Sequence, residues 1–196
     1  MTDGDEDGVV EAVVLDYLPH GRVDDDRPQY RKATLAYAVS PEDFRLFELA
    51  LTEDADIGIA DRVVIEPAAE RNAVERATQI RYDDLSGGAQ SELDYAIDEI
   101  VEADEERFVA YYTDAQPITL RLHQLDLLPG VGEKIRNGIL DARKRRPFED
   151  FDDVESRVSG LHDPKGILVD RILEELQEDD LKYRIFVGEE ALIQRF

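Results

Sequence analysis

Between Val9 and about Tyr82 the apolar positions come in short bursts or alternate with polar ones, and from Ser86 onward they recur at helical spacing. The first pattern predicts strands. VVEAVVLDYL (9–18) is rich in β-branched residues and stops at Pro19-His20-Gly21, with an acidic loop, Asp24-Asp25-Asp26, behind it. RKATLAYAVS (31–40) holds a second strand, and FRLFELAL (44–51) reads equally as a strand or a short helix. IGIADRVVI (57–65) is a turn feeding a buried strand that ends at Pro67, and VERATQIRY (74–82) supplies another. Short strands punctuated by turns, without long helices between them, predict a small antiparallel barrel. The glycine turn of IGIADRVVI is similar to the strand entry of OB-fold and S1-like RNA-binding barrels. Another small β-barrel or an α+β arrangement satisfies the same spacing.

The second pattern predicts helices. Ser86 can cap one that runs through Val101, with Leu93, Ile97, Ile100 and Val101 on one face. Phe108, Tyr111 and Tyr112 fall at i, i+3 and i+4 before the break at Pro117, a spacing that points to core packing before base stacking. Thr119–Leu127 is expected as a further short helix offering Leu120, Leu122, Leu125 and Leu128 for contact. Glu133–Arg145 should be another, with Ile135, Ile139 and Ala142 inward.

Leu128-Pro129-Gly130-Val131-Gly132 joins these last two segments, and it carries the functional reading. Gly130 and Gly132 permit backbone conformations closed to residues with a Cβ. Val131 can point back and pin the turn to the core. The first amides of the following helix are then left without partners at the positive end of its dipole, an arrangement matched to a phosphate oxygen. Two short helices joined in this way form a helix-hairpin-helix. It would read the backbone of a nucleic acid and not its bases.

Charge supports the same reading. The formal net charge is −24, and the acids are spread over the whole chain, with arginine far outnumbering lysine. Such a surface resembles adaptation to a multimolar-salt cytoplasm, where at about 1 M salt the screening length is roughly 3 Å; a haloarchaeal source is expected. Yet between Gly130 and Pro147 stand Lys134, Arg136, Arg143, Lys144, Arg145 and Arg146 against Glu133 and Asp141, 6 − 2 = +4. An ordinary solvated helix of this composition would be acidic, so the island implies an acidic partner.

A second, similar unit follows. PFEDF (147–151) leads to Val154 and Val158, then to Ser159-Gly160-Leu161-His162-Asp163-Pro164 and a helix bearing Leu168, Ile172 and Leu176. Asp163 should cap that helix, with Pro164 at its first position. The order is similar to tandem helix-hairpin-helix domains of DNA-uptake and repair proteins. Here, however, His162-Asp163-Pro164 replaces the second glycine, and a carboxylate at the helix start would repel phosphate, with Lys165 a partial offset. The second hairpin is expected to be structural.

The remaining composition narrows the classes. The absence of cysteine excludes disulfides, a thiol nucleophile and cysteine-ligated metal, and His20, His123 and His162 lack metal-ligand spacing. The first eight residues do not resemble a signal peptide, and no run approaches the roughly 18 apolar residues of a membrane span. The expectation is a soluble cytoplasmic protein with no cofactor and no metal. The main rival is an enzyme, because glycosylases of DNA also carry an L-P-G-V-G hairpin ahead of a catalytic aspartate. Asp150, Asp152 and Asp153 lie downstream, but too close, without a Gly-Pro-Asp stretch and beside a β-rich half. A carboxylate nuclease site among 47 acids is uninformative for the opposite reason: acids are everywhere. A protein-interaction scaffold is the other rival, and it needs no basic island.

Over nearly the whole chain the sequence resembles an uncharacterised archaeal family of predicted RNA-binding proteins, domain of unknown function 655. The residues that carry the likeness are RFVAYYTDAQPITLRLHQLDLLPGVGEKI (107–135), RRPFEDF (145–151) and KYRIFVGE (182–189). The resemblance implies an OB-like N-terminal half paired with a C-terminal helix-hairpin-helix, and nucleic-acid binding without an established reaction. The expected architecture is therefore α+β. It comprises a disordered acidic tail (1–8), an OB- or S1-like barrel (9–85), a helical bridge (86–117), an all-helical tandem helix-hairpin-helix domain (118–180) and a C-terminal tail (181–196). The expected partner is RNA or DNA, tilted to RNA by the S1-like half, with ribosomal or transfer RNA as examples. The phosphate site would be Leu128 to Gly132 with the six basic residues above.

Overall fold

The computed structural model describes residues 8–188, so most of the expected acidic tail and the end of the C-terminal segment lie outside the described residues. The chain is α+β and divides into two compact units, 1–96 and 97–196, a division that falls inside the segment read as a bridge.

In the first unit five strands form one antiparallel sheet. They are β1 (Val10–Leu18), β2 (Leu35–Val39), β3 (Leu46–Leu51), β4 (Arg62–Glu66) and β5 (Val74–Ile80), in the order β4-β1-β2-β3-β5. Side chains two apart along each strand share a face. Ala12 and Val14, Ala36 and Ala38, Phe47, Leu49 and Leu51, Val63 and Ile65, and Val74 thus meet in one apolar cluster. The period-2 run Phe47, Leu49, Leu51 settles FRLFELAL as a strand. Phe44, with φ +56°, instead belongs to the turn that feeds it.

Register shifts after Val10, Val14 and Ala50 bend the strands, as an extra residue in one strand of a pair does. The sheet curls into a half-barrel whose edges β4 and β5 come close without a ladder between them. Arg71 spans that seam, donating to the Ile65 carbonyl at 2.6 Å and the Glu75 carbonyl at 3.4 Å.

Helix α1 (Gly87–Ala103) starts where expected. The Ser86 hydroxyl accepts from the Ala89 amide at 3.0 Å and donates to Asp16 of β1 at 2.5 Å. In the second unit follow α2 (Glu105–Asp114), α3 (Glu133–Arg145), α4 (Phe151–Arg157) and α5 (Pro164–Gln177). Phe108, Tyr111 and Tyr112 are buried, which confirms their core role. Each tyrosine hydroxyl keeps a partner: Tyr111 donates to the Gln124 carbonyl and Tyr112 to that of Pro164, both at 2.6 Å. Desolvation raises both phenol pKa values well above the ordinary tyrosine range.

Two expectations need correction. Thr119–Leu127 is not a helix. Pro117 bridges to His123, and the Ile118 and Thr119 amides both donate to the Leu122 carbonyl. The Thr119 hydroxyl accepts from the Arg121 and Leu122 amides, giving a tight turn that leaves Leu120 fully exposed. Only Gln124–Leu127 winds further, as a 3-10 turn. A threonine that offers its hydroxyl to nearby amides competes with helix formation.

The C-terminal segment is also no free tail as far as Gly188. Ile185, Phe186 and Val187 are buried, and Phe186 packs 5.4 Å from Tyr111, centroid to centroid. Their amides donate to the buried Glu175 carboxylate at 2.6, 2.9 and 3.0 Å, and Arg171 donates to it at 2.9 Å. A buried charge is tolerated when it is paired and hydrogen-bonded in this way.

Candidate nucleic-acid interface

The turn before α3 is built from the residues singled out in the sequence. Leu128 and Val131 are buried, and the Val131 amide donates to the Leu128 carbonyl at 3.2 Å. Gly130 takes φ +75°, a conformation that residues with a Cβ avoid. Gly132 is the N-cap of α3, and its carbonyl accepts the first helical bond from Arg136 at 2.9 Å. No side chain caps this helix. Pro129, Gly130 and Gly132 are exposed, and a Cβ on either glycine would meet nothing within 4 Å. The amides of Glu133, Lys134 and Ile135 lack a protein acceptor among the described residues. One acid, Glu133, stands in the first turn.

The six basic residues divide into three kinds. Arg136 and Arg143 are turned inward. Arg136 grips Asp126 through one nitrogen, at 2.9 and 3.0 Å from its two oxygens, tying the 3-10 turn to α3. Arg143 donates to the Ala115 carbonyl at 2.8 Å and to that of Tyr112 at 3.4 Å, so it closes the C-terminus of α2. Burial lowers its pKa from the ordinary arginine value. Arg146 binds Glu149 and Asp153, and Lys144 pairs loosely with Asp141 at 3.3 Å, both of them largely exposed. Lys134 and Arg145 are exposed and have no side-chain partner among the described residues. Lys134 stands in the first turn of α3 beside the amides of residues 133–135, whereas Lys144 and Arg145 lie in its last turn, about 15 Å away along the helix axis. The Lys144–Asp141 pair is exposed and worth little.

His123 is a functional support that the sequence reading passed over. Its Nδ1 accepts from the Leu125 amide at 3.1 Å, and its own amide donates to Asp126 at 2.8 Å. Burial, and then the nearby Arg143, lower its pKa below the ordinary histidine value, so the neutral form that can accept is favoured. The signal available was the spacing His123-x-x-Asp126, a capping-box pattern with histidine in the place of serine.

The turn before α5 follows the same plan up to its cap. Gly160 takes φ +83°, and buried Leu161 donates its amide to the Val158 carbonyl at 3.2 Å. There Asp163, with φ +50°, fills the helix start, its carboxylate accepting from the Gly166 amide at 3.0 Å. Lys165 is drawn away to Asp98 and Glu102 at 3.0 and 3.1 Å. No group of three or more histidine and carboxylate side chains able to hold a metal occurs among the described residues. No described helix is long and apolar enough to cross a membrane.

Comparison with known proteins returns archaeal relatives. A family model described as "Protein of unknown function (DUF655)" matches residues 9–188. The uncharacterized protein MJ0038 of Methanocaldococcus jannaschii is 35% identical over 178 residues, 90% of this chain and 78% of that protein. The crystal structure of Af1531 from Archaeoglobus fulgidus, itself described by the family model DUF655, superposes with a TM-score of 0.84 at 39% identity. That match covers 91% of this chain and 99% of the other.

Proposed function

Taking as premise that the chain belongs to the DUF655 family, we propose that it is a non-enzymatic nucleic-acid-binding protein, with RNA as its target, that grips backbone phosphates at the turn before α3. In this reading residues 118–180 act as a tandem helix-hairpin-helix whose first member is entered through the 3-10 turn Gln124–Leu127 instead of a full helix. Only that member binds, and the curled sheet is an OB-like barrel. The observation that carries it is the uncapped start of α3. Three amides without a protein acceptor among the described residues lie at the positive end of a helix dipole, in a basic stretch of a chain of net charge −24.

The chemistry expected there is simple. A phosphate oxygen accepts from the amides of residues 133–135 with Lys134 beside it, and Lys144 and Arg145, at the far end of α3, neutralise phosphates further along the backbone. Arg136 and Arg143 position α3 and do not touch the ligand. Because every contact is to phosphate, affinity should be nearly indifferent to base sequence.

The test is a salt titration of binding to RNA duplexes of unrelated sequence. With about three to five phosphates neutralised, the log–log slope should be shallow, at roughly −0.7 to −0.9 per phosphate. A slope steeper than about −8 would mean a far larger electrostatic footprint and would contradict the reading, as would the absence of binding to any duplex.

A further inference from the structure

In the first unit the second half of the β1–β2 loop, residues 27–34, carries Arg27, Arg31 and Lys32 and no acid, directly after Asp24, Asp25 and Asp26. The acid-free run continues to Pro41 only through the buried strand β2. Within this half of the loop Tyr30 is 82% exposed. A phenol ring left in water by a folded chain contributes nothing to the core.

The backbone that carries the ring is fixed by a turn. Pro28 precedes a 3-10 turn over Gln29–Arg31, closed by the Arg31 amide on the Pro28 carbonyl at 2.8 Å and the Lys32 amide on the Gln29 carbonyl at 3.1 Å. The Arg31 guanidinium lies 5.7 Å from the Tyr30 centroid, within cation–π range.

An open surface groove of about 350 Å³ lies at the foot of the same loop, and Tyr30, Arg31 and Lys32 stand outside its lining. Arg22, Asp24, Asp25, Arg27, Glu48 and Arg76 line part of it. Arg22 is committed to Glu48 and Arg27 to Asp25. Arg76 is exposed and has no side-chain partner among the described residues.

We propose that this loop is a second nucleic-acid site, for a single-stranded segment: Tyr30 stacks on an unpaired base, while Arg31 and Lys32 hold the flanking phosphates. A ring and a guanidinium side by side recognise the π-face of any base, and only an unpaired base offers that face. Stacking is short-ranged, so it works on an acidic protein where long-range steering does not. The proposal shares with the reading of α3 that the chain binds nucleic acid, but it uses different residues in a different unit.

The experiment compares the full chain with its Tyr30→Ala, Tyr30→Trp and Gly132→Asp variants on two probes, oligouridylate and a blunt RNA duplex. Tyr30→Ala should weaken oligouridylate binding about tenfold or more, the usual effect of losing one stacked base, and leave duplex binding unchanged. Tyr30→Trp should keep the affinity, and its indole emission should be quenched by oligouridylate. The proposal is overturned if Tyr30→Ala binds oligouridylate like the parent and the indole emission does not move. If in that case Gly132→Asp still loses the duplex, the reading of α3 survives alone. If oligouridylate binding depends on Tyr30 while no variant or parent holds a duplex, the loop survives and the reading of α3 fails.

Discussion

In the turn before α3, Gly130 takes φ +75° and buried Val131 donates to the Leu128 carbonyl; in the turn before α5, Gly160 takes φ +83° and buried Leu161 donates to the Val158 carbonyl. The scaffold is the same as far as Val131 and Leu161. The cap of α5 then comes one residue later, three residues after its glycine where that of α3 comes two after, and the two differ at the cap. Gly132 offers α3 no side chain, whereas Asp163 places a carboxylate on the start of α5. A helix start can be completed from within or kept for an anion from outside, but the same amides cannot do both. The more finished turn is therefore the less available one, and what stabilises α5 disqualifies it as a phosphate site.

The sharpest way to break this contrast is to give α3 the cap of α5. Gly132→Asp should remove most duplex affinity, since hydrogen bonds to a charged group are worth roughly 1.5–3 kcal/mol each. Thermal stability should stay level or rise slightly, because Asp outperforms Gly at an N-cap by a few tenths of a kcal/mol. Binding and stability moving apart would exclude simple misfolding.

The converse change, Asp163→Ala, should cost about 0.5–2 kcal/mol in chemical denaturation and leave affinity in place. Arg143→Ala should behave in the same way. It strips the Ala115 and Tyr112 carbonyls of their donor, at about 1–3 kcal/mol for buried groups left unsatisfied. Lys134→Ala with Arg145→Ala should do the opposite, keeping stability but weakening binding uniformly across sequences. The salt slope should then become shallower by about one for each lost phosphate contact.

The smallest expected effect is a pH dependence at His123. Its folded-state pKa lies below the ordinary value of about 6.5, so between the two values the unfolded chain binds more protons. The stability contributed by the neutral cap is then fully present above about pH 6.5, and it is lost as pH falls toward the folded value. His123→Asn keeps an acceptor for the Leu125 amide and cannot titrate, so denaturation midpoints should lose this component of their decline.

Much of this contrast could be read along the chain. The bursts around Val63 and Val74 mark strands that do lie in one curled sheet, and FRLFELAL, whose pattern fits a strand or a short helix, joins them as a strand. Leu128-Pro129-Gly130-Val131-Gly132 marks its turn because each residue type has a local reason to be there. The errors share one cause, which is that a side chain's partner is a tertiary fact. Leu120, Leu122 and Leu125 look like a helix face, yet Thr119 and the Pro117–His123 bridge close a turn first. Arg136 and Arg143 look like free cations on a basic face, yet they bond Asp126 and the end of α2. Ile185–Val187 look like the start of a tail because Glu175, which holds their amides, lies 10 to 12 residues away.

The central claim is that α3, and not α5, meets phosphate with its first amides, and amide NMR of the labelled full chain during titration with an RNA duplex observes those groups directly. The account predicts that the Glu133, Lys134 and Ile135 amides shift strongly while the Lys165 and Gly166 amides stay where they are. Shifts at Lys165 and Gly166 with Glu133–Ile135 unmoved would contradict it.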